Sequence, residues 1–217
     1  MEPEYLALWR QFRRALKQRN AALKGGGGRD ALAAWDTEFC RLGERVDVAR
    51  REVLAASLET LQQHGSGLLG AEVDFRYASG WAKDTSLKQA LDDHFDRDCA
   101  LGTTQVGPHR ADLRLVYDER QARRLVSRGQ QKLLASAMIL AATEIAQTAL
   151  ERPLLLLLDD PAAELDRDSL GRLMGQVAAL GSQVIATSLE RDESLFPAAP
   201  RVFHVEQGEL RAAVARG

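Results

Sequence analysis

The feature that most constrains the fold is a short apolar run that is followed directly by two aspartates. The run, residues 154–158, consists of five leucines, which suits a buried strand and is too short for a core helix, and Asp159-Asp160 end it. Residues 167–180 have helical periodicity, and residues 183–187 form a second short apolar run. Strands that are apolar on both faces and joined by a helix belong in a parallel sheet covered on both sides. The sequence therefore predicts an α/β fold built around a βαβ unit.

Two helices are predicted before this unit. The first has an apolar stripe and ends at the glycines of residues 25–28, which form a flexible turn. Its stripe consists of Tyr5, Leu6, Leu8, Trp9, Phe12, Ala15, Leu16 and Leu23. The second repeats apolar residues at steps of three and four, as in a coiled-coil seam, at Leu32, Trp35, Phe39, Leu42, Val46, Ala49, Val53 and Ala56. We expect the two helices to pack antiparallel as an N-terminal helical arm.

The remaining elements follow from changes of period. Alternation through Val73, Phe75 and Tyr77, and again through residues 113–117, predicts two half-buried strands, and residues 85–97 and 130–150 have helical patterns. Residues 202–205 and 209–214 flank Gln207-Gly208, which predicts a terminal hairpin. We place a domain boundary after residue 98, so that residues 1–98 hold the arm with its following strand and residues 99–217 hold the α/β part.

Composition excludes several classes of protein. The chain has 217 residues and a net charge of −2, so it is not a uniformly basic protein that wraps nucleic acid, and any DNA contact must be local. Cys40 and Cys99 lie far apart without metal-ligand spacing, which suits a reducing compartment and argues against a zinc site. The apolar run at residues 154–158 is far too short to span a membrane, so we expect a cytoplasmic protein without a membrane partner.

The acidic pair has a chemical interpretation. Carboxylates at the carboxyl end of a parallel strand sit where open α/β sheets bind ligands. One of them can hold Mg²⁺, while the other orients or deprotonates the water that attacks a γ-phosphate. An isolated Asp-Asp pair is also typical of a solvated turn, so the pair does not decide the function alone.

A second motif opens the helix at residues 130–150. Ser127 is a natural N-cap, and Gly129 lets the backbone approach a ligand closely. The helix N-terminus presents free N–H groups and the positive end of its dipole to an anion such as phosphate. Read alone, this stretch is an ordinary capped helix, but the two motifs in this order are much more specific.

Together these stretches resemble ABC-type ATPases of the RecF family. Ser127-Arg128-Gly129-Gln130-Gln131-Lys132 is similar to the signature motif, the leucine run with Asp159-Asp160-Pro161 to the Walker B strand, and Ala163-Glu164-Leu165-Asp166 to the D-loop. Residues 17–23, 35–38 and 107–113 are also RecF-like. The resemblance implies part of an ABC/SMC-like P-loop ATPase lobe, with parallel strands, flanking helices and the helical arm.

The resemblance also implies roles for single residues. Asp159 would be the magnesium-side carboxylate, and Asp160 would stand in the place of the catalytic base, which is Glu in many relatives. The signature residues Ser127, Arg128, Gly129 and Gln130 would contact the γ-phosphate of ATP held by the opposite subunit.

The D-loop and switch positions follow from the same resemblance. Asp166 would lie across the dimer seam, and Thr187 and Ser188 occupy the switch position. Ser188 stands where transporters usually have His, which puts a transporter-like mechanism in doubt.

The function implied is that of an ATP-dependent DNA-binding protein of recombinational repair and replication restart at gapped DNA. It would use ATP and Mg²⁺, form an ATP-dependent homodimer with slow hydrolysis, bind double-stranded DNA and single/double-strand junctions, and cooperate with RecR and RecO. The phosphate-loop pattern G-x-x-x-x-G-K-[ST] occurs nowhere in the sequence. The family places that loop before the arm, so we expect the chain to match the C-terminal portion of the family and not to hydrolyse ATP alone.

Basic residues on the first helix are candidates for DNA contact: Arg10, Arg13, Arg14, Lys17 and Arg19. A solvated helix face explains them equally well. Three other classes of function remain open: a non-catalytic binding and dimerisation module with a vestigial ATPase half, a transporter nucleotide-binding domain, and another SMC-type ATPase. An arm of roughly sixty helical residues favours the RecF family over the very long coiled coils of SMC proteins.

Overall fold

The computed structural model describes residues 3–117, 120–121, 127–189, 196 and 200–212. The helices are α1 (Pro3–Lys24), α2 (Arg29–Leu69), α3 (Leu87–Asp93), α4 (Phe95–Leu101), α5 (Arg128–Leu150) and α6 (Arg167–Ala179). The strands are β1 (Val73–Ala78), β2 (Asp112–Tyr117), β3 (Arg120–Gln121), β4 (Leu155–Leu158), β5 (Gln183–Ala186), β6 (Phe203–Glu206) and β7 (Glu209–Ala212). The chain forms two compact units: the first contains residues of 1–59 and 73–125, and the second contains residues of 60–72 and 126–217.

The first unit contains the predicted helical arm. α1 and α2 run antiparallel, because Tyr5 near the start of α1 accepts a hydrogen bond from Arg50, whereas Arg19 near the end of α1 bonds to Asp36. The core between them consists of Leu8, Phe12, Ala15, Phe39, Cys40, Leu42 and Val46, joined by Leu87, Ala90, Leu91 and Val106. Burial raises the pKa of the Cys40 thiol to about 11, so this cysteine is an inert core residue.

The seam of α2 is shorter than the periodicity predicts. Trp35 is 37% exposed and Val53 is 67% exposed, so neither belongs to the buried seam, which ends near Asp47. The buried positions of α1 are Leu8, Phe12, Ala15, Arg19 and Leu23, spaced at three and four residues. Burial therefore follows the helical period on α1, but it includes a charged residue that the prediction placed outside.

An antiparallel sheet completes the first unit. β1 pairs with β2 in a register that joins Val73 to Tyr117 and Ala78 to Asp112, and β3 pairs with the end of β2. The predicted helix at residues 85–97 is two short helices, since α3 ends before His94 and α4 begins after it. Because β1 and β2 lie on opposite sides of residue 98 and pair directly, the predicted boundary runs through this unit and is corrected.

The second unit is built on the predicted βαβ arrangement. β4 and β5 pair in parallel, with Leu155 opposite Gln183 and Leu158 opposite Ala186, and α6 connects them. One face of this pair packs on α5, α6 and the last turn of α2, in a core of Leu68, Leu133, Ala137, Leu140, Leu156, Leu173 and Val177. The α/β class is confirmed.

The other face of the parallel pair corrects a prediction. Leu155, Leu157 and Ile185 are 53%, 67% and 52% exposed, so in the described part of the chain the sheet is covered on one side only. Side chains alternate along a strand, so Leu156 reaches the core while its two neighbours point away from it. The prediction of a sheet buried on both sides was wrong for these residues.

The predicted terminal hairpin is present as β6 and β7. Their turn has positive φ at both central residues, 50° at Gln207 and 82° at Gly208, which matches the right-handed twist of paired strands. Residues 213–214 of that prediction lie outside the described residues. Separately, α5 is long and apolar enough to cross a membrane by length and composition alone, a test that core helices of soluble proteins also pass.

Candidate functional site

The two aspartates lie at the carboxyl end of the parallel strand pair. Asp159 directly follows β4, and Thr187 directly follows β5, where its N–H donates to the Leu158 carbonyl at 2.9 Å and extends the ladder. The Thr187 hydroxyl donates to Oδ1 of Asp159 at 2.6 Å and accepts a hydrogen bond from the backbone N–H of Asp160 at 3.1 Å. A single hydroxyl therefore fixes the side chain of one aspartate and the backbone of the next.

This arrangement leaves metal-binding capacity at Asp159. Only Oδ1 is occupied by Thr187, and a carboxylate oxygen is the ligand type that Mg²⁺ prefers. Among the described residues there is no group of three His, Cys, Asp or Glu side chains that could hold a metal ion. The site fits an ion that shares one carboxylate with ligands from elsewhere, such as phosphate oxygens or water.

Asp160 has an uncommon backbone conformation. Its φ is +42°, in the left-handed region that non-glycine residues other than Asn and Asp rarely adopt. It begins the acidic turn, by which we mean residues 160–164, and Glu164 at the other end of this turn also has a positive φ, +65°. The acidic turn thus changes the chain direction after β4, and the first residue of this turn, Asp160, is the candidate base.

The tip of α5 has the predicted cap. The Ser127 hydroxyl accepts a hydrogen bond from the Gln130 N–H at 3.2 Å, and the Gln130 side chain accepts one from the Ser127 N–H at 2.9 Å. This capping box leaves the N–H groups of Arg128 and Gly129 uncommitted and the Ser127 hydroxyl proton free to donate. Ser127 is exposed, and the Arg128 side chain is 87% exposed, so the tip is accessible.

Gly129 has a packing role within the same chain. A Cβ atom built at this position would lie 2.8 Å from the carbonyl oxygen of Glu164, closer than real Cβ contacts allow. The start of α5 therefore packs directly on the end of the acidic turn. Sequence reasoning assigned this glycine to ligand approach and did not anticipate the contact.

Lys132 is a residue that the sequence prediction missed. Its ammonium group donates to the carbonyl oxygens of Asp160 at 2.8 Å and Ala163 at 2.9 Å. The only signal in the sequence is its place at the end of the Ser127–Lys132 stretch, since the partners lie 28 and 31 residues away.

Asp166 and Ser188 lie beside this turn and strand end. Asp166 is the N-cap of α6, and its Oδ1 accepts a hydrogen bond from the Ser169 N–H at 2.7 Å, which lowers the pKa of this exposed carboxyl below its usual value. One oxygen of Asp166 is thus committed to its own helix. Ser188 follows Thr187 and is exposed.

Comparison with known proteins decides the family. No family model matches the chain. The DNA replication and repair protein RecF of Shewanella oneidensis is 35% identical over 217 residues, 96% of this chain and 59% of that protein. RecF of Thioalkalivibrio sulfidiphilus is 37% identical over 215 residues, 97% of this chain and 59% of that protein. Over this length the chain is RecF-family sequence.

Solved RecF structures have the same fold. The recombination mediator protein RecF of the RecFOR pathway, solved in an ATP form, has a TM-score of 0.76 and 22% identity over 98% of this chain and 59% of that one. A second RecF structure, with the ATP form named ATPrS, has a TM-score of 0.77. The chain spans about 59% of the length of the RecF relatives that it matches.

The candidate DNA-contact residues of the RecF-like arm divide into two groups. Arg10, Arg13, Arg14 and Lys17 are exposed at helical spacing on one face of α1, and no ion pair is recorded for them within the described residues. We call them the α1 basic face. Arg19 has no exposed surface at all, so its assignment to DNA contact was wrong.

Arg19 belongs to a buried polar network instead. Its guanidinium donates to Asp36 and Asp98, both at 2.7 Å, and to the Thr104 hydroxyl at 2.8 Å. Thr104 in turn donates to the Asn20 side chain, and Asp98 accepts from the backbone of Gln105. The residue thus ties α1 to α2 and α4 inside the first unit, and it serves the fold of the RecF-like arm.

Proposed function

We propose that this chain supplies the signature, Walker B and D-loop side of an ATP-driven dimer that binds DNA in replication and repair, as the name of its RecF relatives describes for them. The observation that carries the proposal is the placement of Asp159, Asp160 and Thr187 at one strand edge, beside a turn that also contacts the exposed tip of α5. This puts an acidic strand end and an anion-binding helix tip in one compact unit.

Asp159 is the residue that would hold Mg²⁺. Thr187 orients its carboxylate by donating to Oδ1, and the other oxygen would be available to ligate the ion. When bound with ATP, Mg²⁺ neutralises the charge that develops on the phosphate oxygens. Asp159 and Thr187 together therefore keep one negative charge fixed at the strand end.

Asp160 would orient and deprotonate the attacking water. Its backbone is held by Thr187 through the N–H and by Lys132 through the carbonyl, so its carboxylate extends from a main chain fixed at both sides. Asp is one methylene shorter than the Glu of many ATPases, which favours slow, switch-like hydrolysis.

The tip of α5 would bind the γ-phosphate held by a second copy. Two free N–H groups, the Ser127 hydroxyl proton and the helix dipole all favour an anion at this point. The tip is exposed, and the end of the acidic turn packs against its other side, so a phosphate must approach from outside the unit. ATP would then hold two copies together.

The α1 basic face would contact the DNA backbone. Its residues repeat at steps of three and four, so the charges form one stripe that can follow a line of phosphates. RecO and RecR are the proposed protein partners, because the solved RecF relatives belong to the RecFOR pathway.

The first experiment tests the acidic pair. Because the chain spans part of its relatives, it is joined to the portion of T. sulfidiphilus RecF that the match leaves out, and we call the product the fusion protein. We expect Asp160→Asn to lower the ATP turnover of the fusion protein at least about tenfold while ATP-driven dimerisation persists. Asp168→Asn, an exposed acid at the start of α6, is the matched control and should leave turnover unchanged. Normal turnover in Asp160→Asn would remove this residue from the catalytic role.

The second experiment tests the helix tip. Ser127→Arg should abolish ATP-dependent dimerisation of the fusion protein, measured by sedimentation velocity, without changing its circular dichroism. Thr148→Arg places the same bulk on an exposed hydroxyl position at the far end of α5 and should dimerise normally. A fusion protein that never binds ATP would support the alternative of a non-catalytic DNA- or partner-binding module.

The third experiment tests the α1 basic face. The slope of log binding constant against log salt concentration falls by roughly 0.9 for each phosphate contact that is lost. Changing Arg10, Arg13, Arg14 and Lys17 to Gln should therefore reduce the slope for duplex DNA, measured by fluorescence anisotropy, by about 3 to 4. As a control, Arg41→Gln and Arg76→Gln remove cations that are already paired with Glu38 and Asp74. An unchanged slope in the first variant would exclude this face as the DNA contact.

A further inference from the structure

Lys132 makes a contact that its place on the helix does not require. It lies in the second turn of α5, yet its ammonium extends beyond the helix and donates hydrogen bonds to two carbonyl oxygens, those of Asp160 and Ala163. The Asp160 oxygen also accepts the N–H of Ala163 at 3.2 Å. The acidic turn is thus closed twice, by its backbone hydrogen bond from Ala163 to Asp160 and by the Lys132 side chain of α5.

The turn needs support from outside. Glu164 has a positive φ of 65°, a conformation that a residue of this type keeps only where surrounding contacts determine it, and Asp160 at the other end of the turn lies in the same region. In the described residues, Lys132 supplies two charge-assisted hydrogen bonds to this turn, and the backbone at Gly129 packs on its last carbonyl. Both supports come from the first two turns of α5.

We propose that Lys132 is a positioning residue that couples the tip of α5 to the carboxylate of Asp160 in the same subunit. This inference rests on the proposed function, in which the tip of α5 contacts the nucleotide of the partner subunit. α5 is a continuous helix, so a displacement of residues 127–129 by that nucleotide also displaces the Lys132 ammonium and with it the Asp160 carbonyl.

The coupling has a consequence for the dimer. Each subunit would sense the nucleotide held by its partner at its α5 tip and transmit the contact through Lys132 to its own candidate base. Coupling between two sites is reciprocal for binding, so neither nucleotide would bind independently of the other. Loss of Lys132 would therefore slow hydrolysis without preventing ATP-driven dimerisation.

The first test uses the chain as it is, without nucleotide. Lys132→Met removes the charge and keeps an unbranched side chain of similar length, Lys132→Arg keeps the charge, and Arg152→Met removes an exposed cation beyond the other end of α5 as a control. Amide hydrogen exchange of residues 160–165, followed by mass spectrometry, should accelerate at least tenfold in Lys132→Met and less than threefold in the other two. Unchanged exchange in Lys132→Met would overturn the positioning role.

The second test uses the fusion protein. Lys132→Met should lower kcat for ATP at least tenfold and change KM less than threefold while ATP-driven dimerisation persists, and Lys132→Arg should restore most of kcat. A kcat within threefold of the unaltered fusion protein in Lys132→Met would overturn the coupling. If the unaltered fusion protein neither dimerises with ATP nor hydrolyses it, the proposed function fails and the coupling with it, whereas accelerated exchange in the first test would still establish the clamp on the turn.

Discussion

The two compact units differ in what they bury: the first has charged side chains in its interior, and the second has large apolar side chains on its surface. The first buries Arg19 with Asp36 and Asp98 in its interior, although charged groups are costly to remove from water. The second leaves Leu155, Leu157 and Ile185 exposed beside its acidic strand end. The first unit surrounds the Arg19 guanidinium with three polar partners, although its Nη2 has none among the described residues, whereas the second presents an exposed apolar sheet face next to the groups that would bind a ligand. Exposed apolar surface thus lies where the chemistry is proposed.

The largest expected loss of stability comes from a substitution in the interior of the first unit. Arg19→Met leaves Asp36 and Asp98 buried without their cation and should cost about 3–5 kcal/mol of unfolding free energy. Trp9, Trp35 and Trp81 all lie in the first unit, so urea unfolding followed by tryptophan fluorescence reports on it selectively. Arg14→Met, five residues before Arg19 on the exposed face of α1, should change stability by less than about 0.5 kcal/mol. Equal effects of the two changes would contradict the buried network.

The next largest effect is a difference in stability between substitutions on the two faces of β4. Leu156→Ala should destabilise the second unit by about 3 kcal/mol, because it removes buried methyl groups and leaves a cavity. Leu157→Ala, on the bare face, should cost less than about 0.5 kcal/mol. The transition detected by circular dichroism should move in Leu156→Ala while the tryptophan transition stays in place. Similar costs at both positions would show that the exposed face is covered in solution.

A smaller effect concerns the strand edge. Thr187→Val keeps the shape of the side chain but removes its hydrogen bonds to Asp159 and to the Asp160 backbone, for a loss of about 1 kcal/mol. Thr148→Val is the control, since that hydroxyl bonds only to a carbonyl of its own helix in the described structure. Chemical denaturation followed by circular dichroism measures both, and a neutral Thr187→Val would mean that the hydroxyl does not organise the aspartates.

The smallest effect is a pH dependence of the first unit. Burial lowers the pKa of His109 below its usual value, and its Nε2 donates to the Thr104 carbonyl while the buried Nδ1 has no partner within the described residues. Folding therefore favours the neutral ring. The contribution of His109 to the free energy of unfolding is fully present above the ordinary histidine pKa of about 6.5. It is lost as pH falls below that value, because the unfolded chain takes up the proton first.

His109→Gln should remove this part of the pH dependence. The difference in unfolding free energy between pH 7.5 and pH 5.5, followed by tryptophan fluorescence, should be smaller in the variant than in the unaltered chain. His204→Gln, at an exposed position on β6, should leave the difference unchanged. An identical pH dependence in all three proteins would contradict a neutral, buried His109.

Local patterns predicted much of the second unit. Helix α5, helix α6 and the parallel strands were placed within about two residues of their observed ends, because the cap at Ser127, helical periodicity and short apolar runs are local signals. The positions of Asp159 and Thr187 at a shared edge follow from parallel pairing alone. The resemblance to RecF then added roles that no local pattern specifies.

What the sequence did not predict depends on partners distant along the chain. The stripe Leu8, Phe12, Ala15 and Leu23 already places Arg19 on the inner face of α1, but its charge favoured an exposed assignment, and its partner Asp98 lies 79 residues away. The same holds for Lys132, whose carbonyl partners belong to a turn beyond β4. The bare face of β4 was missed because a run of leucines does not reveal which of its two faces is covered.

That bare face also determines how the folded chain must be handled at the bench. Fluorescent dyes that brighten on hydrophobic surfaces bind wherever such patches are accessible, whether or not a protein is denatured. Because Leu155, Leu157 and Ile185 are exposed to solvent, the native chain will itself bind such a dye and increase its fluorescence. A dye-based melting curve will consequently start from a high fluorescence baseline. A compound that lowers the fluorescence at temperatures below the unfolding transition will have displaced the dye from the exposed sheet face.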